Sequence, residues 1–309
     1  MPLLALKVFP LCDIISFTMR RLLFFLPLLC LSCNYGFYLS LFNEESADSR
    51  AKTLTILSSD DTPQIESESF SFVVVTDVHF GAASERHNEA FFAKLDPQLA
   101  HSDETKRPRF LVCLGDSADG GHEVEYKEYN SFLNEVAEHA ERISGEKNFK
   151  SYTIMGNHDT YNNGWEEFKK LVFPNTSFYT FSLSSTAAPV TFFFLDTANG
   201  TLGDSQRELL QKSLVQNENM ALVFSHYPIY AGGNLLYTEQ DTTERALLLT
   251  WFAKYNVKAV FAGHAHKNYS FDSGDFTEDV TASYLYQRYF RLVTVNTAEK
   301  TVSSELIEF

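Results

Sequence analysis

From Phe70 onward, short apolar runs alternate with longer stretches whose apolar residues recur at helical spacing. Few folds tolerate such a pattern. Apolar runs without polar alternation need cover on both faces of a sheet, and the intervening amphipathic stretches supply that cover. The runs Phe72–Val75, Phe110–Leu114, Tyr152–Met155, Ala221–Ser225 and Lys258–Phe261 read as buried strands. Phe178–Leu183 and Val190–Leu195 read as an adjacent strand pair, and Tyr289–Val295 and Thr301–Phe309 as closing strands. Helices are predicted over Glu89–Leu99, Glu123–Ile143, Trp165–Val172, Gly203–Val215 and Thr242–Tyr255. The expected class is α/β, with helices on the outer faces of sheet.

Five of these strands end in residues able to bind metal. Asp77-Val78-His79 follows the first, and Gly115-Asp116 the second. Gly156-Asn157-His158-Asp159 follows the third, His226 the fourth, and Gly263-His264-Ala265-His266 the fifth. Strand ends are where α/β folds place their chemistry. If the Asp-x-His and His-x-His segments stay extended, side chains two apart point to one side and reach one ion. The glycines before Asp116, Asn157 and His264 permit close backbone approach as the chain leaves the sheet. Imidazole, carboxylate and amide oxygen without thiolate suit divalent ions such as manganese, iron or zinc. Each motif alone has a bland reading as a turn or a hydrogen-bonded histidine; the ordered set does not.

These motifs, D-x-H, G-D, G-N-H-D, H and G-H-x-H in that order, resemble the calcineurin-like metallophosphoesterase superfamily over roughly Phe70 to Val295. The resemblance implies a four-layer α/β/β/α sandwich with a two-metal site. It further implies that Asp77, His79 and His266 bind one divalent ion and Asn157, His226 and His264 the other, with Asp116 bridging. His158 would face the leaving group as catalytic residue, and Asp159 would orient its ring. The implied reaction is hydrolysis of a small phosphate mono- or diester by a hydroxide activated between the ions. The alternative is an envelope lipoprotein that uses the fold only for ligand binding.

Departures from several branches narrow the resemblance. Protein Ser/Thr phosphatases carry an Arg after the second motif, whereas this run is Gly115-Asp116-Ser117-Ala118-Asp119-Gly120-Gly121. Purple acid phosphatases carry a metal-binding Tyr where Asp119 stands, and 5′-nucleotidases add a large C-terminal domain. Leu195–Gly200 followed by Gly203–Gln206 resembles the corresponding segment of cyclic-nucleotide phosphodiesterase-like members. Tyr161, His122 and Tyr227 lie near the motifs, where they either line a pocket or simply pack.

Charge sharpens the substrate class. The 309 residues hold 25 Lys and Arg against 40 Asp and Glu, a net charge of −15. Such a surface disfavours nucleic acid polymers, which require cations to displace counterions. Bound metal ions would reverse the sign locally for a small phosphoester.

The first 68 residues read differently. Met19-Arg20-Arg21, the apolar run Leu22–Leu31 and Ser32-Cys33 have the parts of a secretory signal, and the apolar run is too short for a spanning helix. Its end resembles a bacterial lipoprotein signal with lipid on Cys33. Lipidation, simple cleavage and an uncleaved anchor all remain open, as does translation starting at Met19. Residues 1–33 are expected to be leader, 34–68 a flexible acidic tether with a short strand possible at Leu54–Leu57, and 69–309 the catalytic domain. Export to the envelope, as membrane-anchored lipoprotein or secreted protein, follows from that reading. Losing the leader, which holds Lys7, Arg20, Arg21 and Asp13, would take the net charge from −15 to −17. Cys113, alone in an apolar run, is expected to be a core residue.

Overall fold

The computed structural model describes residues 45–183, 187–230 and 238–309. The leader reading, residues 1–33, lies outside them. Eighteen regular elements place the site. In chain order they are α1 (Ala47–Arg50), β1 (Thr55–Ile56), β2 (Ser69–Val75), α2 (Asn88–Leu99), β3 (Pro108–Cys113) and α3 (Glu123–Ser144). Next come β4 (Lys150–Thr153), α4 (Trp165–Leu171), β5 (Tyr179–Leu183), β6 (Val190–Phe194), α5 (Asp204–Gln216) and β7 (Met220–Phe224). The last six are α6 (Thr242–Lys254), β8 (Val257–Ala262), β9 (Tyr269–Asp272), β10 (Thr277–Val280), β11 (Tyr289–Asn296) and β12 (Thr301–Glu308).

The strands form two sheets. One has the order β12-β11-β2-β3-β4 and the other β1-β5-β6-β7-β8-β10-β9. In the first sheet β2, β3 and β4 are parallel, joined through α2 and α3, and β11 and β12 close its edge antiparallel. In the second, β6, β7 and β8 are parallel, joined through α5 and α6. The two sheets pack face to face, because the apolar strands alternate between two cores. Phe70, Phe72 and Val74 meet Phe192, Phe194, Phe224 and Phe261 between the sheets. Val73 and Val75 point the other way, against Phe91, Tyr126, Tyr129 and Phe132 of α2 and α3. Phe193, Ala221, Val223 and Val260 likewise turn outward to Leu210, Leu214, Leu248 and Phe252 of α5 and α6. The result is the four-layer α/β/β/α sandwich. Phenylalanines dominate the layer between the sheets, where Phe72 stacks on Phe110 at 4.8 Å and Phe194 on Phe224 at 4.7 Å. Cys113 on β3 is fully buried on the opposite face, against α2 and α3, and burial pushes its thiol up to about 12.

The longest helix shows how sequence sets an element. In α3, buried Tyr126, Tyr129, Phe132, Val136 and Ala140 fall at spacings of three and four. The helix ends at Gly145, whose φ of 77° is the left-handed conformation that closes a helix at low cost. Among the described residues, no helix is long and apolar enough to cross a membrane.

Two sequence expectations change. The segment after Glu45, read as a solvated tether, belongs to the compact unit Glu45–Phe309. Ala47 and Ala51 are buried, β1 pairs parallel with β5, and the Arg50 guanidinium forms a buried ion pair with Asp196 at 2.7 Å. Its polar composition concealed this, because docking depends on one charged pair and two small residues rather than on an apolar stripe. The hairpin β9–β10 was also not anticipated. Its strands are short and half polar, and buried Glu278 is satisfied by the main-chain N–H groups of Ile229 at 2.6 Å and Tyr230 at 3.1 Å.

Candidate metal centre

All seven candidate ligands converge where β2, β3, β4, β7 and β8 end. They arrive by sharp turns rather than by extended chain. Asp77, His79, Asp116, His264 and His266 have φ of 53°, 44°, 52°, 60° and 50°, all in the left-handed region. Each such residue costs about 1–2 kcal/mol in an L-amino acid, and strain of this kind concentrates at functional sites. The period-two argument for Asp77 with His79 and for His264 with His266 therefore does not apply. Left-handed turns bring those side chains together instead. Gly115 makes the approach possible: its φ is 96°, and a Cβ there would lie 2.6 Å from the Gly156 nitrogen.

The two sheets are tied across the site. His226 Nδ1 donates to the Leu114 carbonyl at 2.7 Å, which leaves Nε2 facing inward. The His264 amide donates to Asp77 Oδ2 at 3.1 Å, and the His158 amide to Asp116 Oδ1 at 2.8 Å. Each aspartate thus has one oxygen anchored and the other available. Asp77 Oδ1 lies 3.0 Å from His266 Nε2 and 3.9 Å from His79 Nε2. Asp116 Oδ2 lies 3.9 Å from His79 Nε2 and 3.4 Å from His226 Nε2, and His226 Nε2 is 3.1 Å from Asn157 Oδ1. Asp77, His79 and His266 form one group with donor atoms within 4.8 Å of one another, and Asp116, His226 and His264 form another.

The donor set fits divalent ions. Donors about 2.1 Å from one ion can be at most about 4.2 Å apart, and the 3.0–3.9 Å spacings above fall within that reach. His79 is 1% exposed, and its Nε2 has no hydrogen-bond partner, while Nδ1 faces the Asp119 carboxylate at 3.2 Å. An imidazole buried that way is costly unless something else meets its Nε2. Asp116, through Oδ2, faces one histidine of each group.

Charge is distributed accordingly. Burial opposes ionisation of Asp116, but His226 and its other histidine neighbours outweigh it and hold the carboxyl well below its usual range. Burial likewise opposes protonation of His226, but Asp116 and Asp77 raise it to about 9. Burial, then the neighbouring His226, lowers His264 to about 3. In the metal-free protein a proton on His226 offsets part of the carboxylate charge.

Two roles differ from the sequence expectation. Asp159 does not orient the His158 ring. Its Oδ1 accepts from Ser117 Oγ at 2.7 Å and the Ala118 amide at 3.0 Å, and its Oδ2 from the Gly156 amide at 2.9 Å and the Ser117 amide at 3.2 Å. It is a buried strut between the second and third motifs. Burial and nearby Asp116 push its carboxyl up against those hydrogen bonds. The residue beside His158 is Asp119: its carbonyl accepts from His158 Nδ1 at 2.8 Å, and its carboxylate lies 3.5 Å from the same nitrogen. Asp119 Oδ1 also lies 3.2 Å from His79 Nδ1, and the three residues make a third donor group. A second carboxylate three places after Asp116 was the sequence signal for it.

Aromatic rings frame the cluster. Tyr227 is buried and stacks on His264 at 3.8 Å, a packing role. Tyr161 lies 4.8 Å from the His158 ring. His122 starts α3, its amide donating to Glu125 at 2.9 Å. Tyr286, which no motif signalled, is 45% exposed and lies 5.4 Å from His266 and 5.5 Å from His79.

The family model for calcineurin-like phosphoesterases matches residues 70–268, the stretch that carries every candidate ligand. The chain belongs to the calcineurin-like phosphoesterase family. It is a hydrolase acting on phosphoester bonds. A curated relative from Fibrobacter succinogenes, a probable cyclic nucleotide phosphodiesterase, is 26% identical over 215 residues, covering 68% of this chain and 77% of its own. Among solved structures, a dimetal phosphatase from Danio rerio matches with a TM-score of 0.53 at 12% identity, over 76% of this chain and 98% of its own. GAP50, the anchor in the inner membrane complex of Plasmodium, matches with a TM-score of 0.56 at 15% identity, over 78% and 84%. Both are similar in fold.

Proposed function

We propose that this phosphoesterase hydrolyses a small phosphate mono- or diester with two divalent ions. Asp77, His79 and His266 would hold one ion, Asn157, His226 and His264 the other, and Asp116 both. The observation that carries this reading is Asp116 Oδ2, 3.9 Å from His79 Nε2 and 3.4 Å from His226 Nε2. When bound, such ions supply Lewis acidity toward the phosphoryl oxygens and an acidified water.

The chain's own groups do the rest. The anchored oxygens of Asp77 and Asp116 fix the direction of the free ones, so the carboxylates need no reorganisation on binding. His158 Nδ1 donates to the Asp119 carbonyl at 2.8 Å, so Nε2 is the ring nitrogen left to meet the leaving oxygen. Proton transfer by a histidine so placed contributes about 10²–10⁴-fold. The likeness to a probable cyclic nucleotide phosphodiesterase supports a small diester among the substrates.

The deciding experiment is a substrate panel with metal-free protein reloaded with manganese, zinc or iron. It would compare p-nitrophenyl phosphate, bis-p-nitrophenyl phosphate, p-nitrophenyl phenylphosphonate and cyclic AMP. Turnover that a chelator removes and metal restores is expected; no turnover with any ion would sink the reading in favour of a binding protein. We also propose export to the envelope, supported by the basic, apolar and small-residue pattern of residues 19–33. Mass spectrometry of the N-terminus from a membrane fraction tests it, and an intact Met1 would refute a lipid on Cys33.

A further inference from the structure

The family match begins at residue 70, yet a residue well before it reaches the loop that supports a candidate ligand. Arg50, at the end of α1, is 7% exposed. Its Nε donates to Asp196 Oδ2 at 2.9 Å, and its Nη2 to Asp196 Oδ1 at 2.7 Å and Asn199 Oδ1 at 2.8 Å. Nη1 donates to the Glu45 carbonyl. Asp196 opens the loop after β6 and is fully buried. The next residue, Thr197, uses Oγ1 to accept the main-chain N–H groups of His226 and Tyr227, both at 3.0 Å. His226 directs Nε2 at Asp116 and Asn157, and Tyr227 stacks on His264. The hydrogen bonds that join Arg50 to Asp196, and Thr197 to His226 and Tyr227, are short and buried.

We infer that Arg50 is a positioning residue for the ion held by Asn157, His226 and His264. This rests on the ligand assignment proposed above. A bidentate guanidinium–carboxylate pair fixes direction as well as charge. Without Arg50, the buried Asp196 carboxylate would keep only the Ala198 amide, at 3.2 Å, and lose its counter-charge, and its escape toward water would drag Thr197 from the His226 amide. The loop itself would survive. Gln206 separately holds it, donating from Nε2 to the Asp196 carbonyl at 2.8 Å and accepting the Asp196 amide at 2.8 Å. The effect should therefore be selective: His226 sits directly on Thr197, whereas Asp77, His79 and His266 make no direct contact with this loop, and Asp77 meets it only through the His264 amide.

Binding isotherms with Mn²⁺, together with its electron paramagnetic resonance spectrum, test this in the full chain. Wild-type protein should take two ions with a spin-coupled signal; if it does not, the ligand assignment falls rather than the role of Arg50. Arg50→Ala should keep one ion at near wild-type affinity and bind the other about 10–100-fold more weakly, the usual effect of losing a group behind a ligand. Millimolar guanidinium should restore the second ion in that variant and leave wild type unchanged. Thr197→Val cuts the relay further along, so it should weaken the same ion with no rescue by guanidinium. Arg50→Lys keeps charge without the fork, and it reports if Arg50→Ala does not fold. Unchanged binding of both ions in these variants, or equal weakening of both, would overturn the proposal.

Discussion

Asp116 and Asp159 are both buried aspartates at strand ends, and their surroundings give them opposite tasks. Asp116 spends one oxygen on the His158 amide and keeps the other facing histidines of both groups. Asp116→Asn keeps the first contact and removes the charge, so it should abolish metal-dependent hydrolysis and lower bound Mn²⁺ below two per chain. Activity assays with metal analysis check both. Asp159 spends both oxygens on N–H and O–H donors. In Asp159→Asn the amide NH₂ would face some of those donors, at a cost of about 1–3 kcal/mol. Denaturant unfolding should show that loss, and the pH profile of the remaining activity should not move; a displaced profile would restore Asp159 to the role of orienting His158. The sequence made the ligand types legible here. It did not reveal Asp159's true partners, because three of its four hydrogen bonds come from main-chain amides that any residue could supply.

Among the elements, the strands and long helices follow their apolar periodicity closely. The short N-terminal pieces do not, since α1 and β1 are held by contacts distant in sequence. Arg50 and Asp196 are separated by 146 residues. Asp48 Oδ1 accepts the Ser205 amide at 2.8 Å and so caps α5, a task usually performed by the residue just before a helix. A chain beginning at Glu45 serves as the reference. Removing residues 1–57 should cost about 3–5 kcal/mol, as expected when one partner of a buried ion pair is lost. Equal stability of the two truncations would show that α1 and β1 only rest on the domain.

For the whole molecule, stability and metal binding are linked through His226. Its folded-state value, about 9, lies above the ordinary 6.5. Its contribution to the metal-free protein is therefore full below pH 6.5 and is lost as pH rises through 9. A metal ion needs the neutral imidazole, so stabilisation by metal grows over the same window. Thermal melts at pH 6.5 and 9 should show Mn²⁺ raising the midpoint more at the higher pH; an equal rise would mean His226 is not a ligand. By itself the sequence determined the α/β class and the identity of the chemistry-bearing residues, because both follow from local rules: apolar runs need cover, and divalent ions need histidine and carboxylate. Only the tertiary structure decided how those residues meet. Left-handed turns, a glycine without room for a Cβ, and an arginine reaching in from outside the matched domain are set by which backbones press together. That depends on packing across the two sheets, which no local pattern records.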